Sequence, residues 1–402
     1  MAPMATLFLI VFINLLGFGI IIPILPLYAL RLGAGPEMVS IVIGLYSLMQ
    51  LLTSPLIGKW SDKYGRRPIL MWSLALAAVS YVMLAMADSM EMLIASRIVG
   101  GAVAGNLATA FAYVTDITTP DKRAKSMGML GASFGMGFVF GPALGGLLAG
   151  ADTATADFAT PALVAAALTV IAMLGVIFKL PESLSPELRA QAAAAPRLSF
   201  AAQLRVVASR RALLAMSGLG LVAMVIWSLM ESTFSMWAFD VLGQGPRDIG
   251  ALFAFIGVLS AGVQGGLMGP LSKRFGERRL AAVTIIAYGV GFAWLSTVTS
   301  VGMLFAAMSV LALGNALFNP SMSSLVSKEA GAHERGAVLG VYQSAGSLGR
   351  IVGPGMAGFI YAGFGPSAPY VLSAALAIPA GILLALSMPG KSPAVTPIQP
   401  AE

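Results

Sequence analysis

The feature that most constrains the fold of this chain is an internal repeat. Residues 120–146 align with residues 332–358, and an arginine, several glycines and a proline recur at matching positions. A second pair of segments, 58–70 and 269–281, repeats in the same order. Segments that recur in order indicate homologous units within one chain. The sequence therefore predicts two halves with similar folds.

Composition places both halves in a membrane. Hydrophobic residues make up 58% of the chain and charged residues 10%, whereas a soluble domain carries about 25% charged residues. Twelve apolar runs each approach or exceed the roughly 20 residues that cross a hydrocarbon core as a helix. We number them spans 1 to 12, and they cover residues 5–30, 38–57, 69–87, 91–114, 128–150, 158–179, 211–238, 248–268, 280–298, 302–326, 336–361 and 368–388. The predicted fold class is an all-α integral membrane protein with twelve transmembrane helices in two pseudo-symmetric six-helix bundles.

Charge placement predicts the orientation of these spans. With the N-terminus in the cytoplasm, all but four of the 24 basic residues fall in cytoplasmic segments. The exceptions are Arg31 and Arg247 on the opposite side, and Arg97 and Arg350 within spans. Because basic residues collect on the cytoplasmic side of a membrane, we expect a bacterial inner-membrane protein with both termini in the cytoplasm. The same rule explains the basic net charge without a nucleic-acid partner.

One interruption separates the two halves. Residues 181–210 contain three prolines and a run of alanines among scattered charges, which predicts a flexible cytoplasmic linker. The expected domains are an N-terminal bundle, residues 1–180, and a C-terminal bundle, residues 211–390. The remaining residues, 391–402, are predicted to form a disordered tail.

Several classes of function are disfavoured at this stage. The sequence has no cysteine, and it contains no nucleotide-binding loop, metal-ligand cluster or catalytic triad. We therefore expect no enzymatic activity, no cofactor and no bound metal. Duplicated halves in a membrane are instead typical of secondary transporters, whose substrate site lies between the repeats.

The loop between spans 2 and 3 carries a motif of glycines and charges, Gly58-Lys-Trp-Ser-Asp62-Lys63-Tyr-Gly65-Arg66-Arg67. A cytoplasmic cluster of positive charge would explain its basic residues but neither the aspartate nor the two glycines. The motif resembles the G-x-x-x-D-[R/K]-x-G-R-[R/K] signature of the major facilitator superfamily. That resemblance implies a twelve-helix transporter that works by alternating access.

The resemblance also implies a conformational latch, which forms between the halves in one conformation and breaks in the other. The residues assigned to this latch are Gly58, Asp62, Lys63, Gly65, Arg66, Arg67 and, at the end of span 4, Asp116. The second copy of the motif has Lys273 at the position of Asp62. We therefore expect the latch to be degraded in the C-terminal half.

Span 5 is rich in glycines at spacings that let helices pack closely, and its proline is expected to bend it. Part of this run resembles the motif that distinguishes antiporters from symporters within the superfamily. The motif residues are Gly137, Gly141, Pro142, Gly145 and Gly146. The resemblance implies that substrate and coupling ion move in opposite directions.

Three charged residues lie deep inside predicted spans, away from the span ends. Arg97 fits the family's buried-arginine motif in span 4, although an arginine at this position would also be able to snorkel to the outer interface. Asn106 follows about half a turn out of phase and is expected to face away from it. Glu231 and Arg350 lie at comparable depths, so they form either a structural ion pair or part of a proton-exchange site. We assign Glu231, Arg350 and Arg97 to proton coupling.

Polar and aromatic side chains on otherwise apolar helices are candidates for a substrate cavity, although each would also serve as an interhelical contact. These candidates are Asn14, Phe18, Tyr46, Gln50, Trp227, Met230, Phe234, Gln264, Asn315, Asn319 and Gln343.

A closer resemblance concerns residues 12–31 and 128–146, which are similar to the tetracycline-efflux branch of the drug:proton antiporters. Two departures matter, because the branch has an acid at the position of Asn14 and a histidine at that of Ser260.

We expect proton-coupled export of a small lipophilic or cationic compound by a monomer in the lipid bilayer, with the proton as coupling ion. The alternatives are a facilitator or proton symporter for a small metabolite, and a receptor-like or scaffold protein that does not transport.

Overall fold

The computed structural model describes residues 3–184, 200–331 and 334–386. Within these ranges the chain is helical and has no strand, which confirms the all-α prediction. The helices are α1 (Pro3–Ile21), α2 (Leu25–Arg31), α3 (Pro36–Tyr64), α4 (Arg66–Ala85), α5 (Met90–Val103), α6 (Asn106–Ile117), α7 (Pro120–Ala149), α8 (Ala159–Lys179), α9 (Phe200–Ala208), α10 (Arg211–Leu242), α11 (Pro246–Gly262), α12 (Met268–Phe275), α13 (Glu277–Leu295), α14 (Val301–Glu329), α15 (Arg335–Phe364) and α16 (Ala368–Leu386). The predicted tail and half of the predicted linker, residues 185–199, lie outside the described residues.

These helices reproduce the predicted order of spans. Among the described residues, eleven helical segments are long and apolar enough to cross a membrane. The remaining predicted span, span 11, is the 30-residue helix α15. It is long enough to cross, but a central arginine and several glycines make it less apolar than the others.

Three spans are interrupted helices. Span 1 consists of α1 and α2, which are separated around Pro23, and span 4 consists of α5 and α6. Span 8 joins α11 to α12 through the π-helical turn Val263–Leu267. The break in span 1 follows from proline, which lacks the amide hydrogen that would continue the helix. At each break the second segment is rotated relative to the first. The direction in which a residue points therefore cannot be extrapolated from one segment to the next.

The two bundles meet at two symmetric crossings, span 2 against span 11 and span 5 against span 8. We call the end with the loops around Lys63, Lys122, Lys273 and Lys328 the basic end, and the other end the far end. Span 2 runs from the far end at Pro36 to the basic end. Span 5 runs in the opposite direction.

Both crossings are closest at the far end. A Cβ atom on Gly358 would collide with the carbonyl group of Pro36, and one on Gly146 would collide with the carbonyl group of Pro246. Toward the basic end of span 5, by contrast, a Cβ atom on Gly131 would have no neighbour within 4 Å. The halves therefore touch at the far end and diverge toward the basic end.

Candidate substrate cavity and conformational latch

A cavity lies between the two bundles, about midway along the spans that line it. Spans 1 to 5 supply most of its wall, and spans 7 and 11 close the remaining side. The polar and charged lining residues are Asn14, Tyr46, Ser47, Gln50, Ser80, Tyr81, Arg97, Asn106, Ser228, Glu231 and Arg350. The cavity therefore brings together all three of the charged residues that the sequence places deep inside spans.

Aromatic rings form the apolar part of this wall. The Phe18 ring lies 5.5 Å from the Tyr46 ring and 6.1 Å from the Phe138 ring, measured between centroids. Phe134, which also lines the cavity, stacks on Phe138 at 4.9 Å. An apolar wall with a few convergent polar groups is the usual make-up of a small-molecule site.

Arg97 is buried in the cavity wall, with 3% of its surface exposed. Its Nε donates to the Ser96 hydroxyl at 3.3 Å, and its Cζ lies 5.8 Å from the centroid of the Tyr46 ring. Its Nη2 is buried and has no hydrogen-bond partner in the part of the chain that the structure describes. This burial excludes the snorkelling interpretation.

Asn106 lines the same cavity as Arg97, so the prediction that it faces away is wrong. The prediction assumed one continuous helix. In the structure α5 ends at Val103 and α6 begins at Asn106, and the break between them resets the helical phase.

Glu231 lines the cavity from span 7, and Arg350 lines it from span 11. Among the described residues neither side chain makes a hydrogen bond or an ion pair, so the predicted structural ion pair is not formed in this conformation. The buried hydroxyl of Tyr288, on span 9, also lacks a partner and interacts electrostatically with Glu231. The sequence analysis did not identify Tyr288, although its polar group on an apolar helix was a usable signal.

Three predicted cavity residues around Glu231 do not line the cavity. Met230 and Phe234 are fully buried in the C-terminal core, and the ring of Trp227 stacks on Tyr288 at 6.3 Å. Residues on an α-helix are rotated by about 100° per position, so Ser228 and Glu231 point toward the cavity while the other three point into the bundle. Glu231 lies at the boundary between these two faces.

Four further candidates are also absent from the residues that line this cavity. Asn319 donates to the Asn315 side chain at 2.7 Å, which is a contact within one helix. Gln264, in the π-helical turn, and Gln343 are exposed side chains. The polar residues identified one face of each helix. They did not identify which neighbouring helix or cavity that face contacts.

The latch residues form a network centred on Arg66. This side chain is buried and donates to Asp62 at 2.6 Å, to Asp116 at 3.0 Å and to the Ser61 hydroxyl at 3.0 Å. Gly65 starts the following helix at a φ of 105°, a conformation that favours glycine. The charge-assisted hydrogen bonds therefore join span 2, span 3 and the end of span 4.

The remaining latch residues occupy the rim of this network. Arg67 donates through Nη2 to the carbonyl of Ile177 at 2.5 Å, which attaches span 3 to span 6. Lys63 lies over the ring of Tyr64, with 5.1 Å between Nζ and the ring centroid. Nothing lies within 4 Å of a Cβ atom placed on Gly58.

Glu182, directly after span 6, is a member of the network that the sequence analysis missed. Its carboxylate accepts from the backbone amides of Arg66 at 2.9 Å and Arg67 at 3.2 Å. The next residue, Ser183, donates its hydroxyl to Asp116 at 2.9 Å. A carboxylate at the start of a helix stabilises its unpaired amides. An acid just beyond the last apolar residue was the only sequence signal for this cap.

The glycine motif of span 5 divides between two neighbours. A Cβ atom on Gly137 would lie 2.7 Å from Leu15 Cβ, and one on Gly141 would lie 2.6 Å from Gly19 Cα. Gly145 also contacts span 1, whereas Gly146 and the carbonyl of Pro142 contact Gly250 of span 8. The motif therefore packs span 5 on its own bundle and closes the far end against the other bundle.

Comparison with known proteins gives matches over nearly the whole chain. The family model described as Major Facilitator Superfamily matches residues 7–268 and 240–402. The chain is 31% identical over 364 residues to tetracycline resistance protein, class E, of Escherichia coli, with 88% of this chain and 86% of that protein covered. It is 30% identical over 355 residues to multidrug resistance protein 2 of Bacillus subtilis (strain 168), with 87% and 86% covered. The solved structure of the nucleoside transporter NupG matches with a TM-score of 0.79 at 15% identity, covering 96% of this chain and 99% of that one.

Proposed function

The chain belongs to the major facilitator superfamily, and on that premise we propose that it exports a small lipophilic or cationic compound in exchange for protons. Membership makes it an integral membrane transporter and not an enzyme. The finer proposal concerns the direction of transport, the coupling ion and the compound. Names such as tetracycline resistance and multidrug resistance among its relatives support export of a small organic compound.

We propose that the basic end faces the cytoplasm of a bacterial inner membrane, with both termini on that side. The described conformation is then inward-open, because the halves meet at the far end and diverge at the basic end. Two further contacts support closure of the far end. The Ser235 hydroxyl donates to the Pro23 carbonyl at 2.9 Å, and the Arg247 amide donates to the Gly150 carbonyl at 3.1 Å. Each monomer contains a whole cavity, which is consistent with a monomeric unit of transport.

The observation that carries this proposal is a carboxyl group inside the cavity. Glu231 is the acid among the residues that line it, and Arg350 lines the same side of the cavity from span 11. The other charged or titratable groups of the lining are Arg97, Tyr46 and Tyr81, and Tyr288 on span 9 lies near Glu231. A proton and a positively charged group of the substrate would compete for this carboxylate. Competition for one site is sufficient to couple their movements in opposite directions, provided that the site is exposed to each side in turn.

We therefore expect Glu231→Gln to abolish transport driven by a pH gradient and to leave exchange or downhill flux of a neutral compound within a few-fold of wild type. The measurement uses proteoliposomes loaded with a fluorescent pH indicator, and tetracycline and naphthylmethylammonium are the first compounds to add. Glu91→Gln is the matched control, since Glu91 is an exposed acid outside the cavity. Proton movement at the wild-type rate in well-folded Glu231→Gln protein would refute the proposal.

The same assay distinguishes the other candidate functions. A symporter would move protons in the direction of the compound, and a facilitator would move the compound without protons. A scaffold or receptor-like protein would bind the compound without any flux. If Glu231 instead pairs with Arg350 in another conformation for structural reasons, the single variant would fold poorly and Glu231→Gln/Arg350→Gln would recover.

A further inference from the structure

The charged groups in the cavity do not balance one another. Two arginines, Arg97 and Arg350, line the cavity together with a single acid, Glu231. Among the described residues, none of the three forms an ion pair. The unliganded cavity therefore has both a positively charged and a negatively charged subsite, each without a protein counter-ion.

Arg97 provides the stronger argument. A buried charged side chain normally has a partner, since removing it from water is costly and the cost is recovered through hydrogen bonds and ion pairs. Arg66 follows this rule, with two carboxylates and a hydroxyl around its guanidinium group. Arg97 is equally buried, but it has one hydroxyl partner and a buried Nη2 with none.

Within the described residues, Arg97 has no carboxylate partner, and a second arginine, Arg350, lines the same cavity. The ring of Tyr46 lies beside the Arg97 guanidinium, and the Tyr46 hydroxyl interacts electrostatically with both Arg97 and Arg350. The hydroxyl of Tyr81, which also lines the cavity, is a further titratable group near Arg97. Because both tyrosines are hydrogen-bond donors when neutral, this side of the cavity suits an anionic group such as a carboxylate.

We infer that the transported compound is zwitterionic: an anionic group binds at Arg97 and Arg350, a cationic group binds at Glu231, and an apolar body lies against Phe18 and Phe134. This inference deepens the proposed function and rests on it, because it assumes that the cavity is the transport site. It also fits the proposed coupling. A proton on Glu231 displaces the cationic group, while the anionic group keeps the compound oriented toward the arginines.

The test uses four matched probes that share a naphthalene body. They are naphthylalanine (zwitterion), naphthylacetate (anion), naphthylmethylammonium (cation) and naphthalenemethanol (neutral). Binding is measured to the full-length protein in detergent at neutral pH without any gradient. We expect naphthylalanine to bind at least tenfold more tightly than each of the other three.

Variants test which cavity residue binds the anionic group and which binds the cationic group of the probes. Arg97→Gln should weaken naphthylalanine and naphthylacetate at least tenfold while leaving naphthylmethylammonium within twofold, and Arg97→Lys should restore part of the loss. Glu231→Gln should weaken naphthylalanine and naphthylmethylammonium but not naphthylacetate. Arg279→Gln, at an exposed arginine outside the cavity, is the matched control and should change nothing.

Folding is controlled by thermal unfolding of each variant. Because Arg97 lacks a counter-ion, we expect Arg97→Gln to keep the wild-type melting temperature. The inference is wrong if naphthylmethylammonium binds as tightly as naphthylalanine, if none of the four probes binds, or if Arg97→Gln weakens all probes equally. The binding assay has no gradient, so its failure is distinguishable from failure of proton-coupled export, which the proteoliposome assay detects independently.

Discussion

The two halves of the protein contain the same ion pair with opposite polarity. In the N-terminal half, Arg66 at the start of span 3 pairs with Asp116 at the end of span 4, at 3.0 Å. In the C-terminal half, Glu277 at the start of span 9 pairs with Lys328 at the end of span 10, at 2.5 Å. The sequence repeat, extended by a few residues, aligns each member of one pair with a member of the other. The ion pair therefore occupies the same position in both halves, but the acidic and the basic residue are exchanged.

The expected degradation of the second latch remains a prediction, although the second copy keeps an ion pair. Lys273 replaces Asp62, but the acid and base that follow are exchanged as well. The turn is also preserved, since Gly65 and Gly276 both have positive φ angles, of 105° and 75°. The second copy is therefore a charge-inverted network and not a loss of charge.

The copies differ most in burial. The Arg66 and Asp116 side chains are 9% and 16% exposed, whereas Lys328 and Glu277 are 63% and 21% exposed. Removing one partner of a buried pair leaves an uncompensated charge, while an exposed pair contributes little. The difference implies that the N-terminal ion pair contributes more to the free energy of unfolding than the C-terminal ion pair does.

The largest effect is expected for Arg66→Gln, which leaves the partly buried carboxylates of Asp62 and Asp116 without their shared cation. We expect a loss of about 3 kcal/mol in the free energy of unfolding, together with strongly reduced transport. Denaturant unfolding of the purified protein in detergent measures the free energy of unfolding, and flux into proteoliposomes measures transport. Equal destabilisation by Arg66→Gln and Glu277→Gln would contradict the assignment of the energy to the N-terminal copy.

A smaller effect is expected for Asp62→Asn, which keeps the shape of the side chain but weakens its bond to Arg66. Transport should fall about tenfold, equivalent to about 1.4 kcal/mol on the switching barrier, while binding of naphthylalanine stays within a few-fold. Because the chain has no cysteine, a single cysteine at Ser47 in the cavity reports accessibility from either side. Lys273→Gln is the matched control. A large loss of binding with unchanged accessibility would disprove a latch role.

The smallest effect is expected for Lys328→Gln in the exposed copy. Its loss should change the free energy of unfolding by no more than about 1 kcal/mol, and salt should reduce the difference from wild type, because exposed charges are screened. Unfolding measured at low and high ionic strength provides the check. If the variant stops transport despite normal folding, the C-terminal copy also acts as a latch.

Much of the candidate site was predictable residue by residue. Asn14, Phe18, Tyr46 and Gln50 were selected as polar or aromatic positions on apolar helices, and all four line the cavity. The same criterion selected Met230 and Phe234, which are buried in the C-terminal core instead. The criterion is local to one helix, whereas lining a cavity depends on the faces of neighbouring helices.

The sequence by itself determined the spans, their order, the duplication and the superfamily, because hydropathy, helix length and motif spacing are properties of contiguous residues. Only the tertiary structure decided that Arg97 and Asn106 share a wall, that Glu231 and Arg350 form no ion pair within the described residues, and that Glu182 caps span 3. Each of these depends on how a helix is interrupted or rotated against partners that are distant in the chain. Which side chains meet across the two bundles depends on how whole helices pack against one another. A contiguous stretch of sequence does not determine that packing.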